Sequence, residues 1–251
     1  MLELHNIAYR AKAAHILTDI SCRFTAGRVT AIVGPNGAGK TSLLRVAAGL
    51  QTPDSGRVTL GDIDFKNPQA RARALAYLPQ FQSLAWPLLC RDVVALGLLP
   101  YGPPDEARVM EALAICGATR FADRPLPSLS GGEAARVHLA RLMVADAPVI
   151  LLDEPTQSLD AAGADAVMAV LNRAAAGGKA VGVVMHDLNL AAHECDEVVV
   201  MKAGRIAASG VPQQVFTSDI LAPIFGVEFM RLAANGVDYI LPQRKLKQPI
   251  S

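Results

Sequence analysis

Gly34, Pro35, Asn36, Gly37, Ala38, Gly39, Lys40 and Thr41 have the spacing G-x-x-x-x-G-K-[ST], and nothing else in this 251-residue chain restricts its fold as strongly. The run Val29–Val33 just before it is continuously apolar and reads as a fully buried strand. Ser42 to Ala48 just after it has helical character and stops at Gly49. A strand that enters a glycine turn and leaves by a helix is the setting this motif requires. The glycines let successive backbone N–H groups turn inward around phosphate oxygens. The helix adds the positive end of its dipole. The pattern therefore predicts that Lys40 reaches the β- and γ-phosphates of a nucleoside triphosphate, that the Thr41 hydroxyl ligates Mg²⁺, and that Ser42 opens the helix behind them.

Two more continuous apolar runs, Val149–Leu152 and Ala180–Met185, read as buried strands. Helical stretches at Ala161–Ala176 and Leu188–Glu194 follow them. Strands alternating with helices imply a mostly parallel sheet covered on both faces. Near the N-terminus the pattern differs. Leu2, Leu4 and Ile7, a turn near Lys12, then Leu17, Ile20 and Phe24 predict an antiparallel region. Residues 57–65 read as a hairpin arm around Gly61 and Asp62, and Ala76–Leu78 as a short strand. Residues 81–101 read as apolar and irregular, and 81–145 offer no buried strand. Helices opened by Asp105 and by Ser130 make that stretch an inserted helical lobe. A hairpin is expected across Lys202–Arg205. A short helix, a second hairpin and a solvated basic tail, Arg244–Lys247, are expected after Phe216.

Lys and Arg number 24 against 23 Asp and Glu, so the basic excess of a dedicated nucleic-acid binder is missing. At 51% hydrophobic and 19% charged residues the chain is not disordered. The most apolar stretch, Ser83–Pro100, is interrupted by Pro87, Arg91 and Asp92, so no membrane span is expected. Met1-Leu2-Glu3-Leu4-His5 has neither a basic leader nor an apolar core, so no secretory leader is expected. Cys22, Cys90, Cys116 and Cys195 form no C-x-x-C pair, and reduced thiols are expected.

Asp153 and Glu154 follow the strand Val149–Leu152. Carboxylates at the C-terminal end of a parallel strand face the ligand crevice. Asp153 is placed to hold Mg²⁺, and Glu154 to act as general base for an attacking water. His186 ends the third apolar strand and points into the same crevice, within reach of the γ-phosphate or that water. His5, His15, His138 and His193 read as structural.

Leu129-Ser130-Gly131-Gly132-Glu133 resembles the signature motif of ATP-binding cassette (ABC) ATPases. The resemblance runs over roughly residues 2–225, with every landmark in the family's order. It implies an α/β fold: a P-loop NTPase core with a mostly parallel sheet, an N-terminal antiparallel β region and an inserted α-helical subdomain. One cassette over 1–225 is expected, with core 1–80 and 146–225, helical subdomain 81–145 and a C-terminal extension 226–251. It further implies that Tyr9 stacks on adenine. Gln80 looks like the glutamine that senses Mg²⁺ and the attacking water. Ser158-Leu159-Asp160 looks like the loop that crosses a dimer interface, and His186 like the switch histidine. Ser130, Gly131, Gly132 and Glu133 would bind the γ-phosphate held by a second copy. The sequence departs from the family at Glu133, where Gln is commoner, at Ala134 and Ala135, which replace a polar pair, and at Gln157-Ser158.

The segments Asp187–Ala192, Gly210–Phe216, Ile224–Val227 and Val93–Gly97 resemble the subgroup serving iron-siderophore, haem and cobalamin uptake. Leu98 stands where that subgroup commonly has arginine. The resemblance implies an ATP- and Mg²⁺-dependent ATPase that forms a head-to-tail homodimer. It would drive a separate integral membrane permease at the cytoplasmic face of a bacterial inner membrane, with a substrate-binding protein as indirect partner and no nucleic acid. The run Phe81–Leu99, with Trp86, would form the groove for the permease or simply pack the lobe. A non-transport ABC ATPase acting on ribosomes or DNA is the alternative.

Overall fold

The computed structural model describes residues 1–80, 87–157, 159–234 and 237–243. Strands β1 (Leu2–Ala11) and β2 (Ala14–Phe24) form the expected antiparallel pair, with Lys12 in a left-handed turn between them. β3 (Val29–Val33) is buried at all five positions and runs into the glycine loop and α1 (Lys40–Ala47). β4 (Ser55–Leu60) pairs with β1, completing a three-stranded sheet in the order β2-β1-β4. The hairpin expected at 57–65 reduces to β4 and one bridge, Leu60 to Ile63, after which the chain turns toward α2 instead of continuing along β4.

α2 (Pro68–Ala74) was not expected. Its signals are nevertheless local: the Asn67 side chain accepts from the Gln69 and Ala70 N–H groups, and Pro68 occupies the first turn. β5 (Leu75–Leu78) follows. Residues 90–95, read above as irregular, are the helix α3 (Cys90–Ala95), continued by a 3₁₀ turn over Leu96–Leu98. Leu89 supplies no side-chain cap. Instead the Cys90 and Arg91 N–H groups donate to the carbonyls of Arg124 and Ala122 at 2.9 and 3.0 Å. This helix start is satisfied from more than 30 residues away, which no local pattern announces.

α4 (Glu106–Ile115) opens on Asp105, as expected. α5 (Gly131–Met143) opens on Ser130, β6 (Val149–Asp153) is wholly buried, and α6 spans Ala161–Ala176. β7 (Ala180–Val184) is likewise buried throughout, and α7 spans Leu188–Glu194. β8 (Glu197–Lys202) and β9 (Arg205–Gly210) form the expected hairpin. The short α8 (Pro212–Val215), α9 (Ser218–Phe225) and the hairpin of β10 (Phe229–Ala234) with β11 (Val237–Pro242) close the described chain. Of the candidate groove Phe81–Leu99, residues 81–86 lie outside the described residues, as do Ser158 and the tail Arg244–Lys247.

The central sheet has the order β5-β6-β7-β3-β8-β9, parallel except for β9. The order reverses around β3, so the C-terminal ends of β3, β6 and β7 open on one crevice. One apolar cluster joins this sheet to α3, α4 and α5, and takes in Ile240 of β11. A second lies under β1 and β2 and includes Leu43, Leu44 and Val46 of α1. Leu98 is buried within the first cluster, a position that suits leucine better than a charged arginine. Among the described residues no helix is long and apolar enough to cross a membrane.

Candidate active site

The loop after β3 is left-handed at Gly34, Gly37 and Gly39, with φ of +151°, +78° and +100°. At Gly34 a Cβ would sit 2.3 Å from the Met201 carbonyl oxygen of β8, so only glycine fits where the loop leaves the sheet. Pro35, Asn36 and Ala38 complete the turn. α1 begins on Gly39 without a side-chain cap, so its first N–H groups remain available to an anion. Lys40 is buried, and its Nζ donates to the Gly34 and Pro35 carbonyls at 2.8 and 3.2 Å. Burial holds the ammonium below the ordinary lysine pKa, while the charges of Glu154 and Asp153 pull the other way. The loop therefore presents a desolvated cation inside a ring of backbone donors.

Asp153 ends β6 and is 1% exposed. Its Oδ1 accepts from the Thr41 hydroxyl at 3.2 Å, and its buried Oδ2 has no hydrogen-bond partner among the described residues. Burial raises its pKa most, against the Thr41 bond, while Glu154 adds to the rise and Arg45 and Lys40 oppose it. A buried carboxylate with one free oxygen, beside a hydroxyl and a phosphate-binding loop, fits Mg²⁺. That ion is commonly held by one or two carboxylates plus substrate phosphates rather than by a protein-only cage. Consistent with this, no cluster of three or more His, Cys, Asp or Glu occurs among the described residues.

Glu154 has φ of +55°, a strained value for a residue with a Cβ, and its N–H bonds the Val184 carbonyl at 3.2 Å. The turn aims the carboxylate between two other predicted residues. Its Oε2 accepts from Gln80 Nε2 at 2.7 Å, and its Oε1 lies 2.6 Å from His186 Nε2. Gln80 follows β5. His186 follows β7 and immediately precedes Asp187, whose side chain caps α7. Three strand ends thus converge on one carboxylate. Gln157, which the sequence marked only as atypical, joins them: its Oε1 accepts from Gln80 Nε2 at 3.0 Å. A cavity of about 270 Å³ lies alongside, lined by Gln80, Glu154 and Gln157 on one wall and by Gly131, Ala134 and His138 on the other.

Tyr9 is half-buried on β1 and pairs across the ladder with Leu17 of β2. Ser130 and Glu133 form a complete capping box: Glu133 Oε2 accepts from the Ser130 N–H at 3.0 Å, and Ser130 Oγ accepts from the Glu133 N–H at 3.4 Å. The departure from glutamine at 133 thus places a carboxylate on the N–H of the cap residue Ser130, and that bond holds its pKa low. Asp160 caps α6 by accepting from the Gly163 N–H at 2.8 Å. Among the described residues no hydrogen bond of Ser130, Glu133 or Asp160 reaches the phosphate loop. The structure groups Lys40, Thr41, Gln80, Asp153, Glu154 and His186; of the signature residues, Gly131 lines the cavity beside Gln80 and Glu154, while Ser130 and Glu133 bond each other.

Residues 17–157 match the family described as ABC transporter. The chain belongs to that family. It is an ATP-binding ATPase of the ABC type. It is 40% identical to the hemin import ATP-binding protein HmuV of Nocardia farcinica (strain IFM 10152), over 92% of this chain and 84% of that protein. The cassette of a metal-chelate type ABC transporter in an inward-facing conformation shares its fold. The TM-score is 0.84 and identity 23%, over 97% of this chain and 98% of the other. A dimeric ATP-binding cassette in a post-hydrolysis state, bound to ADP and phosphate, superposes with a TM-score of 0.75 at 27% identity, over 84% of this chain and 99% of that one. The mostly parallel sheet, antiparallel N-terminal sheet and helical insert are those of an ABC ATPase.

Proposed function

We propose that this chain is the ATP-hydrolysing subunit of an importer for haem or a related iron chelate, and that it drives a separate membrane permease. The placement of Glu154 between Gln80 and His186, beside Asp153 and the glycine loop, carries the catalytic half of this reading. The cargo rests on similarity to hemin import proteins along nearly the whole chain. The same relatives favour import over an ATPase acting on ribosomes or DNA.

In this reading the phosphates of ATP lie against the N–H groups of residues 34–41, and the Tyr9 ring packs on the adenine. Glu154 accepts the proton of a water that attacks the γ-phosphorus. The bond to the β–γ bridging oxygen breaks, and ADP and phosphate are released. Gln80 and His186 hold the Glu154 carboxylate in position, and His186 offers a second polar contact to the γ-phosphate. Thr41, Asp153 and Gln80 would hold Mg²⁺, which when bound neutralises charge on the β- and γ-oxygens. Two copies pair head to tail in C₂ symmetry. Each lends Ser130, Gly131, Gly132 and Glu133 to the other's γ-phosphate and brings Asp160 to the interface. The cassette spans 1–225 with its helical subdomain at 81–145, and 226–251 extend it. It works at the cytoplasmic face of a bacterial inner membrane, against a permease served by a substrate-binding protein.

A host strain without this chain should not grow on haem as sole iron source. The wild-type chain should restore growth and the Glu154→Gln variant should not. Unimpaired growth of the deletion strain on haem would overturn the cargo.

A further inference from the structure

We infer that Gln157 is a positioning residue for hydrolysis, which sets the plane of the Gln80 carboxamide and so the direction in which its oxygen points. The inference rests on the proposed role of Gln80 and Glu154. Glu154 Oε2 lies 2.7 Å from the Gln80 amide, and a carboxylate can only accept. The group facing it is therefore the Gln80 NH₂. That group has two N–H bonds. The second meets Gln157 Oε1 at 3.0 Å. Both donors of Gln80 are thereby assigned, and its Oε1 is left as the acceptor for the ion or the attacking water.

A carboxamide is planar, so a single hydrogen bond leaves it free to swing about that bond. Two acceptors, one for each N–H, fix the plane. Glu154 supplies the first from the carboxylate strand end, and Gln157 supplies the second from the turn three residues further on. Within that turn the Gln157 N–H bonds the Glu154 carbonyl at 3.2 Å, so the two acceptors share one rigid frame. The Gln157 side chain is exposed, and among the described residues its side-chain hydrogen bond is the one to Gln80. Asp160, three residues on, caps α6. Gln157 thus ties the segment after the catalytic carboxylate to the segment after β5.

The test is a double-mutant cycle in the full chain, reading steady-state ATPase. Gln157→Met keeps the length of the side chain and removes the acceptor. It should lower kcat about three- to tenfold, the worth of one hydrogen bond, and leave KM for ATP unchanged. In a Gln80→Ala background the same substitution should have no further effect, because nothing remains to be positioned. If Gln157→Met leaves kcat unchanged, or if the two effects multiply, Gln157 does not act through Gln80 and the inference fails. If Gln80→Ala itself hydrolyses ATP normally, the proposed role of Gln80 fails first, and that outcome is distinct from the others.

Discussion

Asp153 shows at the scale of one residue how the site trades stability for chemistry. Its carboxylate is buried with one oxygen unpartnered, and its pKa is raised above the ordinary 3.8 mainly by that burial. An acid whose folded pKa exceeds its unfolded one holds its proton longer in the folded state. Stability therefore falls as pH climbs from 3.8 through the raised value, and the loss persists at neutral pH. Asp153→Asn removes the buried charge and keeps an acceptor for Thr41. It should melt no lower than the wild type at pH 7 in thermal denaturation, yet lose at least about 100-fold in Mg²⁺-dependent ATPase. A markedly lower melting temperature would show that the charge is compensated within the protein alone. Most residues of this site were legible in the sequence, because strand ends and the glycine spacing mark them. The bonds among them were not. Gln80 and Glu154 are 74 residues apart and His186 a further 32, and only the sheet order brings them together. Gln157 is an ordinary polar turn residue until Gln80 is seen against it.

Among the elements, α5 and β7 give the sharpest expectations. His138 on α5 is 8% exposed, its Nδ1 has no hydrogen-bond partner among the described residues, and burial, helped by Arg141, lowers its pKa from 6.5 to about 4. A base whose folded pKa is depressed supports folding above its unfolded value and loses that support as pH falls. This one side chain should cost roughly 3 kcal/mol of stability between pH 6.5 and 4. His138→Leu should flatten the decline, so that urea midpoints at pH 7 and pH 5 differ less than in the wild type. Equal declines would contradict the assignment. In β7, a Cβ at Gly182 would meet the Phe24 ring at 2.5 Å and Leu151 at 2.7 Å. Gly182→Ala should therefore destabilise by about 1–3 kcal/mol in denaturant titration, as overpacking does. An unchanged midpoint would mean that Phe24 can move aside. The end of α6 before Gly177 and the opening of α5 at Ser130 are legible as local signals. α2 was missed although Asn67 and Pro68 announce it, because seven residues carry too little apolar periodicity. α3 was missed because the backbone of 122–124 caps it. The sequence holds the rule in the first case and only the tertiary partner in the second.

For the whole molecule, the central expectation is that one copy cannot complete the reaction. Each copy carries the phosphate loop, the Asp153 and Glu154 carboxylates and His186 on one side of its crevice. The Ser130–Glu133 turn, with its capped helix start, has no hydrogen bond to that loop among the described residues. The apolar cluster shared by the sheet and α3, α4 and α5 makes the helical lobe continuous with the core. The most direct test is Glu154→Gln in solution with ATP and Mg²⁺, measuring molecular mass and turnover together. The expected species has twice the mass of the 26.4 kDa chain and retains bound ATP, with hydrolysis slowed by at least about 100-fold. A monomer that still turns over ATP at the wild-type rate would contradict both the base and the dimer.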